Sequence, residues 1–274
     1  MQKVIRLGPL ETKLFSWAQN RGVTLVRTGD LKKFLNFKKR QEEILLSNMS
    51  RSGLIIQIMR GLYLLPKNIP SGGIWKPSIY RLIDIYMKEL KVTKYQITGL
   101  TEFNYYSLST QIPNLASIYN DKVSITKNIA GQRLQFIKTA KKRLINIKEI
   151  KIKESEINTK TYMGTFPKTV FDAIYDYKKF GTLPEAYEWL QQIALKKEYL
   201  NEYLEIILKI GNIATLRRSG FVLEKLGTSN FYLKKIENCI NRTISYIPLN
   251  PINVKKGFLN KRWGLIINDE IIPR

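Results

Sequence analysis

Along the first 66 residues the apolar positions keep a helical period and then change to a strand-like one. Leu10, Leu14, Trp17 and Ala18 recur at i, i+4, i+7 and i+8, which predicts a helix over Pro9 to Asn20 with one apolar face. Pro9 suits a first helical turn, and Arg21-Gly22 a stop. Val23 to Val26 reads as a short extended link. Leu31, Phe34 and Leu35 give a second helix its inward face, with Asp30 as its cap. A turn at Asn36-Phe37 leads into a third helix from about Lys38 to Ser52. Leu45 and Met49 face its core side, and Gly53 stands where a left-handed C′ residue belongs. Ile55 to Met59 and Leu62 to Leu65 then read as two strands joined at Arg60-Gly61, where Gly61 supplies the turn conformation. Pro66 closes the module. Two helices across a tight turn, followed by a two-stranded ribbon, make a winged helix-turn-helix over residues 1–70.

Beyond it the pattern is mixed. Lys67 to Pro77 is rich in Pro, Gly and Ser and reads as a linker or docking loop. Ile79 to Leu90 is amphipathic, with Tyr80, Ile83, Met87 and Leu90 on one face. Gln96 to Ser107 and Ser117 to Ile125 read as extended pieces. Leu134 to Ile137 and Ile145 to Ile152 alternate at period two, as half-buried strands do. Helical periods return in Phe166 to Tyr177 (Val170, Phe171, Ile174 and Tyr177 inward) and in Leu183 to Leu195, which Pro184 opens. They continue in Leu200 to Ile210 and in Asn212 to Gly227. Gly220 in the last of these allows close approach of another backbone. Tyr246 to Pro248, a turn at Lys256-Gly257 and a strand at Trp263 to Ile267 finish the chain. The expected class is α+β: a winged helix-turn-helix, then a larger domain over residues 71–274. That domain has a mixed α/β part (71–165) and a mainly helical part (166–274).

Composition narrows the chemistry. Hydrophobic residues make up 44% of the 274, enough for packed cores. No apolar run approaches the ~20 residues that span a bilayer, and the N-terminus lacks the apolar stretch of a signal peptide, so no membrane is expected. Cys239 is the single cysteine, which rules out an internal disulfide and suits a cytoplasmic setting. Histidine is absent, which removes Ser-His-Asp triads, Cys-His pairs and His-ligated zinc. With no Gly-rich phosphate loop and no helix-borne metal pair either, no cofactor is expected.

The net charge is +24, from 46 basic and 22 acidic residues, and it attracts polyanions at long range. Where it meets the winged helix, it acquires a location. The first turn of the third helix presents free N–H groups and a positive dipole end to a phosphate, and Lys38, Lys39, Arg40 and Gln41 cluster there. Arg pairs bidentately with guanine and Gln with adenine. Ser47 and Arg51, further along, face base edges or backbone, and Arg60 at the wing tip reaches a minor groove or a phosphate. Two carboxylates in the same helix are a misfit. Glu43 is placed to accept from a cytosine amine, and Glu42 to point away.

Several segments, in this order, resemble the AbiEi-type antitoxins of bacterial abortive-infection and type IV toxin–antitoxin systems, which act in phage defence. They are SRSGLIIQIMRGLYLLP (Ser50 to Pro66), YQITGLTEFNYYSLSTQIP (Tyr95 to Pro113), KTVFDAIYD (Lys168 to Asp176), NIATLRRSGFVLEKLG (Asn212 to Gly227) and RWGLIIND (Arg262 to Asp269). The resemblance implies an autorepressor that binds inverted repeats of double-stranded DNA in its own promoter; winged helices meet such repeats as pairs, so two copies are expected on the operator. It also implies that the C-terminal domain neutralises a nucleotidyltransferase-like toxin without requiring a stable complex. Arg217 and Arg218 enter as members of the matching C-terminal segment; by spacing alone they read equally as a solvated, salt-bridged helix face. Two other readings compete. Asp121 with Glu149-Ile150-Lys151 has the D…ExK spacing of metal-dependent nucleases, though the same lysines suit an ordinary edge strand. A winged-helix regulator with a small-ligand site in its C-terminal domain is the other.

Overall fold

The computed structural model describes residues 7–69, 75–154, 157–240 and 245–270. The chain is an α+β protein that divides into two units. The first holds residues 1–93, 125–135 and 151–161, and the second 94–124, 136–150 and 162–274. The unit carrying the winged helix thus continues past residue 70. Residues 70–74 of the expected linker lie outside the described residues.

In the first unit the order is α1 (Pro9–Asn20), β1 (Leu25–Arg27), α2 (Asp30–Leu35), α3 (Lys39–Arg51), β2 (Ile56–Met59) and β3 (Leu62–Leu64). Leu14, Phe15, Ala18, Val26, Leu31, Leu45, Leu46 and Met49 form its core. The stretch expected as a link is a third strand of the wing sheet. β1 pairs antiparallel with β3, Leu25 opposite Leu64, in a sheet of order β1-β3-β2. Three residues with only Val26 buried are too few to display an alternation.

Two local expectations also change. Asp30 does not cap α2: its Oδ2 accepts from the Arg27 N–H at 2.7 Å, and the cap comes from elsewhere. Phe34 does not face inward. It is 44% exposed and stacks on Trp17 with ring centroids 5.6 Å apart. A six-residue helix cannot bury all three apolar positions, and Phe37 fills the core instead, turned back by Asn36 in the left-handed region (φ 58°). The wing turn follows expectation, with Gly61 at φ 75°. Helix α4 (Ile79–Glu89) buries Leu82, Ile83, Ile85, Tyr86 and Met87, a wider face than the expected stripe.

Next come β4 (Tyr95–Thr98), α5 (Leu100–Tyr105), β5 (Ala116–Asn120), β6 (Ile125–Ile129), β7 (Gln132–Lys138), β8 (Ile147–Glu154) and β9 (Ile157–Gly164). They form a six-stranded sheet of order β6-β7-β5-β4-β9-β8. β4 pairs antiparallel with β5 and parallel with β9. The piece expected to be extended from Gln96 to Ser107 is a strand only to Thr98. Gly99, at φ 68°, ends it and α5 begins.

In the second unit α6 (Phe166–Tyr175), α7 (Tyr177–Phe180), α8 (Ala186–Leu195), α9 (Lys197–Ile210), α10 (Ile213–Lys225) and α11 (Asn230–Glu237) follow. Phe171, Ile174, Tyr187, Leu190, Tyr203, Ile207 and Leu223 are in their shared core. The tail forms β10 (Ile247–Pro248), β11 (Phe258–Asn260) and β12 (Leu265–Ile267), in the order β10-β12-β11. Gly220 does permit a close approach, but of a side chain rather than a backbone. A Cβ there would lie 2.1 Å from the buried Trp263 ring. Among the described residues no helix is long and apolar enough to cross a membrane.

Candidate nucleic-acid interface

α3 sends its residues alternately into the core and out to solvent. Leu45, Leu46 and Met49 are buried, while Lys39, Arg40, Gln41, Glu43, Ile44, Asn48 and Arg51 are exposed and Ser47 is half-buried. Lys38 occupies the N-cap, extended at φ −67°, and its N–H donates to Gln41 Oε1 at 3.4 Å. Gln41 therefore helps close the helix end as well as facing outward. The basic turn expected at Lys38-Lys39-Arg40 is exposed as a continuous patch. Further along, the Arg51 guanidinium donates to Ser47 Oγ at 3.3 Å and to Asn48 Oδ1 at 3.1 Å, so these three side chains form one polar group on the outer face. Arg60 is exposed at the wing turn.

Two residues of this face escaped the sequence reading. Asn48 is exposed one position beyond Ser47 and can read adenine as Gln can. Ile44 is 51% exposed between the polar residues. An apolar side chain there suits contact with a thymine methyl group. The signal was present, since Ile44 interrupts an otherwise polar stripe at Arg40, Ser47 and Arg51.

Glu42 resolves the misfit of the acidic pair. It is 1% exposed, and its Oε1 accepts from the backbone N–H groups of Gly29 at 2.8 Å and Leu31 at 3.0 Å. The carboxylate of α3 thus caps the N-terminus of α2, where free N–H groups and the helix dipole favour a negative charge. It leaves the outer face with a single acid, Glu43, beside four bases, Lys38, Lys39, Arg40 and Arg51.

In the second unit Arg217 and Arg218 are only 3% and 5% exposed, so they are not a solvated face. Arg217 Nη1 donates to the Ser245 carbonyl at 3.0 Å. Arg218 gives Nε and Nη2 to the Pro248 carbonyl at 3.3 and 3.1 Å. Both arginines tie α10 to the chain around β10. Burial lowers the pKa of Arg217 from its ordinary value.

The same unit holds a buried polar cluster that the sequence reading missed. Lys168 and Asp172, one turn apart on α6, are fully buried and ion-paired. Lys168 Nζ also donates to Gln96 Oε1 at 3.2 Å, and Gln96 Nε2 to Asp172 Oδ2 at 2.8 Å. Arg143 reaches Asp172 Oδ1 at 3.2 Å and Asp176 Oδ2 at 2.6 Å, and the Tyr119 hydroxyl donates to Asp176 at 2.6 Å. Glu102, wholly buried, accepts from Gly164 N–H at 2.5 Å and from Gln96. Burial, reinforced by Asp172, pushes Glu102 up to about 8, so it keeps its proton at neutral pH. Burial alone would raise Asp176, but Arg143 and the hydrogen bonds from Lys179 and Tyr119 hold it below the usual carboxylate range. The available signal was the spacing of Lys168, Asp172 and Asp176, which puts three charges on one stripe of a helix with no exposed residue from Phe166 to Ile174.

Asp121 faces Lys141 at 3.8 Å, and Glu149 and Lys151 are exposed along β8. Among the described residues no group of three His, Cys, Asp or Glu side chains gathers as a metal site would require.

No family model and no curated protein matches the chain. Among solved structures, the RV2827C protein of Mycobacterium tuberculosis is similar in fold, with a TM-score of 0.64 at 10% sequence identity. The match covers 95% of this chain and 92% of that one.

Proposed function

We propose that the chain is an autorepressing antitoxin. Its winged helix binds inverted repeats in the DNA upstream of its own gene, as two copies on the operator. Its second unit neutralises a nucleotidyltransferase-like toxin in the cytoplasm, with no catalysis of its own. One observation carries the DNA-binding half: Lys38, Lys39 and Arg40 stand exposed on the first turn of α3, while Glu42 is withdrawn into the core. That turn combines side-chain cations, free N–H groups and the helix dipole, the elements that grip phosphate and seat a helix in the major groove. The antitoxin half rests on the ordered resemblance of the five segments given above. The fold shared with the RV2827C protein is compatible with it and says nothing about activity.

The two halves separate in one cellular experiment. The DNA upstream of the gene drives a reporter, and the adjacent gene is expressed from an inducible promoter. The full chain is expected to repress the reporter and to relieve growth arrest caused by the neighbour. The double variant Lys39→Ala, Arg40→Ala should lose repression and keep the relief. Undiminished repression by that variant would place the DNA contacts elsewhere. Persistent arrest in the presence of the full chain would remove the antitoxin role.

A further inference from the structure

Within the second unit, a cleft of about 590 Å³ lies between the α6–α7 junction, the first turn of α10 and the segment after β10. Its volume falls in the roughly 300–1,000 Å³ range of small-molecule sites. Tyr175, Tyr177, Ile247, Pro248 and Pro251 supply the apolar part of its lining, with Arg143 already lying over the Tyr175 ring. Lys178 and Lys255 stand exposed on its rim, and Arg218 is nearly buried within it. The first turn of α10, a helix of 13 residues, adds its N-terminal dipole, with Asn212 and Thr215 on the wall.

The electrostatics of the cleft are one-sided. Among the described residues that line it, Asp176 is the only carboxylate, and both of its oxygens are occupied. Oδ1 takes Lys179 at 2.8 Å, and Oδ2 takes Arg143 and Tyr119, each at 2.6 Å. Lys178 and Lys255 have no hydrogen-bond or ion-pair partner among the described residues. The Arg218 guanidinium is held by the Pro248 carbonyl and lies 5.1 Å from the Tyr177 ring centre, which leaves Nη1 without a partner among the described residues. A fixed guanidinium costs little entropy when it binds an anion. Two unpaired lysines, and a fixed guanidinium with one nitrogen left over, beside tyrosine and proline side chains match a ligand with a phosphate at one end and a planar ring at the other.

We propose that this cleft binds a nucleoside phosphate, the base lying against the tyrosine and proline walls and the phosphates meeting Arg218, Lys178 and Lys255. The site stands whether or not the antitoxin reading holds, since it concerns the second unit alone. It gives that unit a small-molecule input of its own.

The full chain is titrated calorimetrically with ATP, GTP, CTP and UTP, and with inorganic tripolyphosphate as the probe for charge alone. A protein with net charge +24 attracts any polyanion, so the controls must separate site from field. Lys178→Ala with Lys255→Ala tests the site. Lys197→Ala with Lys209→Ala, two exposed lysines outside the cleft, removes the same charge. All four side chains are exposed, so folding is not at risk. The expected result is saturable binding of at least one nucleotide, weakened by about tenfold or more in the cleft variant and within about twofold of wild type in the control. The proposal is overturned by the absence of saturable binding for all four nucleotides. Equal weakening in the two variants, or tripolyphosphate binding as tightly as the best nucleotide, overturns it as well.

Discussion

Glu42 turns a carboxylate that would repel DNA into a brace for the helix pair proposed to bind it. Its two hydrogen bonds, to Gly29 N–H and Leu31 N–H, fix the start of α2 against α3. Hydrogen bonds to a buried charged group are each worth about 1.5–3 kcal/mol, and losing the acceptor also strands two N–H donors. Glu42→Ala is therefore expected to lower unfolding stability in urea by about 2–4 kcal/mol. Glu42→Gln, whose amide oxygen still accepts, should lose less. A Glu42→Ala protein with unchanged stability would show that α2 is capped by something else. At this scale the sequence revealed where an acid was out of place but not its partner. The partner N–H groups lie 13 and 11 residues away, across a turn, and no local pattern marks a backbone donor. Gly220 is similar: the need for a missing Cβ was legible, whereas its neighbour, Trp263, is set by tertiary packing.

Helix α6 shows what element-level patterning can and cannot carry. Its apolar stripe at Val170, Phe171 and Ile174 is buried as the period predicts. Its charged stripe is buried too, because Arg143, Gln96 and Lys179 arrive to satisfy Lys168, Asp172 and Asp176. Such clusters are costly to desolvate and persist when their charges are paired and hydrogen-bonded, as here, with Arg143 Nε left unpartnered. Glu102 makes this one sensitive to pH. Its folded pKa, about 8, lies above the ordinary 4.5, so the folded state holds a proton that the unfolded state releases. The stabilisation this provides is complete below about pH 4.5 and is lost as pH rises through about 8. Asp176 acts in the opposite sense: its depressed pKa gives stability that is lost as pH falls through the acid range. Stability measured from pH 5 to pH 8 should therefore decline in the wild type, and decline less in Glu102→Gln, which mimics the protonated form. Parallel curves for the two proteins would mean that Glu102 is ionised in the fold. Several elements went unread in the sequence, among them β1, α5, β9 and α11. β1 has one inward residue, and α5 follows a strand too closely for its period to register.

For the whole molecule, the α+β class was legible, because the winged helix and the helical run from α6 to α10 carry strong periods. The division between units was not, because residues 125–135 and 151–161 belong with the winged helix although far from it in sequence. The cations the sequence offers for a DNA face, Lys38, Lys39, Arg40, Arg51 and Arg60, are all exposed. Ile44 and Asn48 became visible only once the outward face was fixed. A net charge of +24 ensures some attraction to any DNA, so binding alone decides little. What separates an operator grip through α3 from a diffuse field is the loss produced by two side chains on that helix. The most direct test is a titration of DNA from upstream of the gene with the wild type and with Lys39→Ala, Arg40→Ala, from about 50 to about 200 mM salt. The account predicts affinity lower by about tenfold or more at matched salt, and a salt dependence shallower by about two phosphate contacts. Equal affinity and equal salt dependence in the two proteins would contradict it.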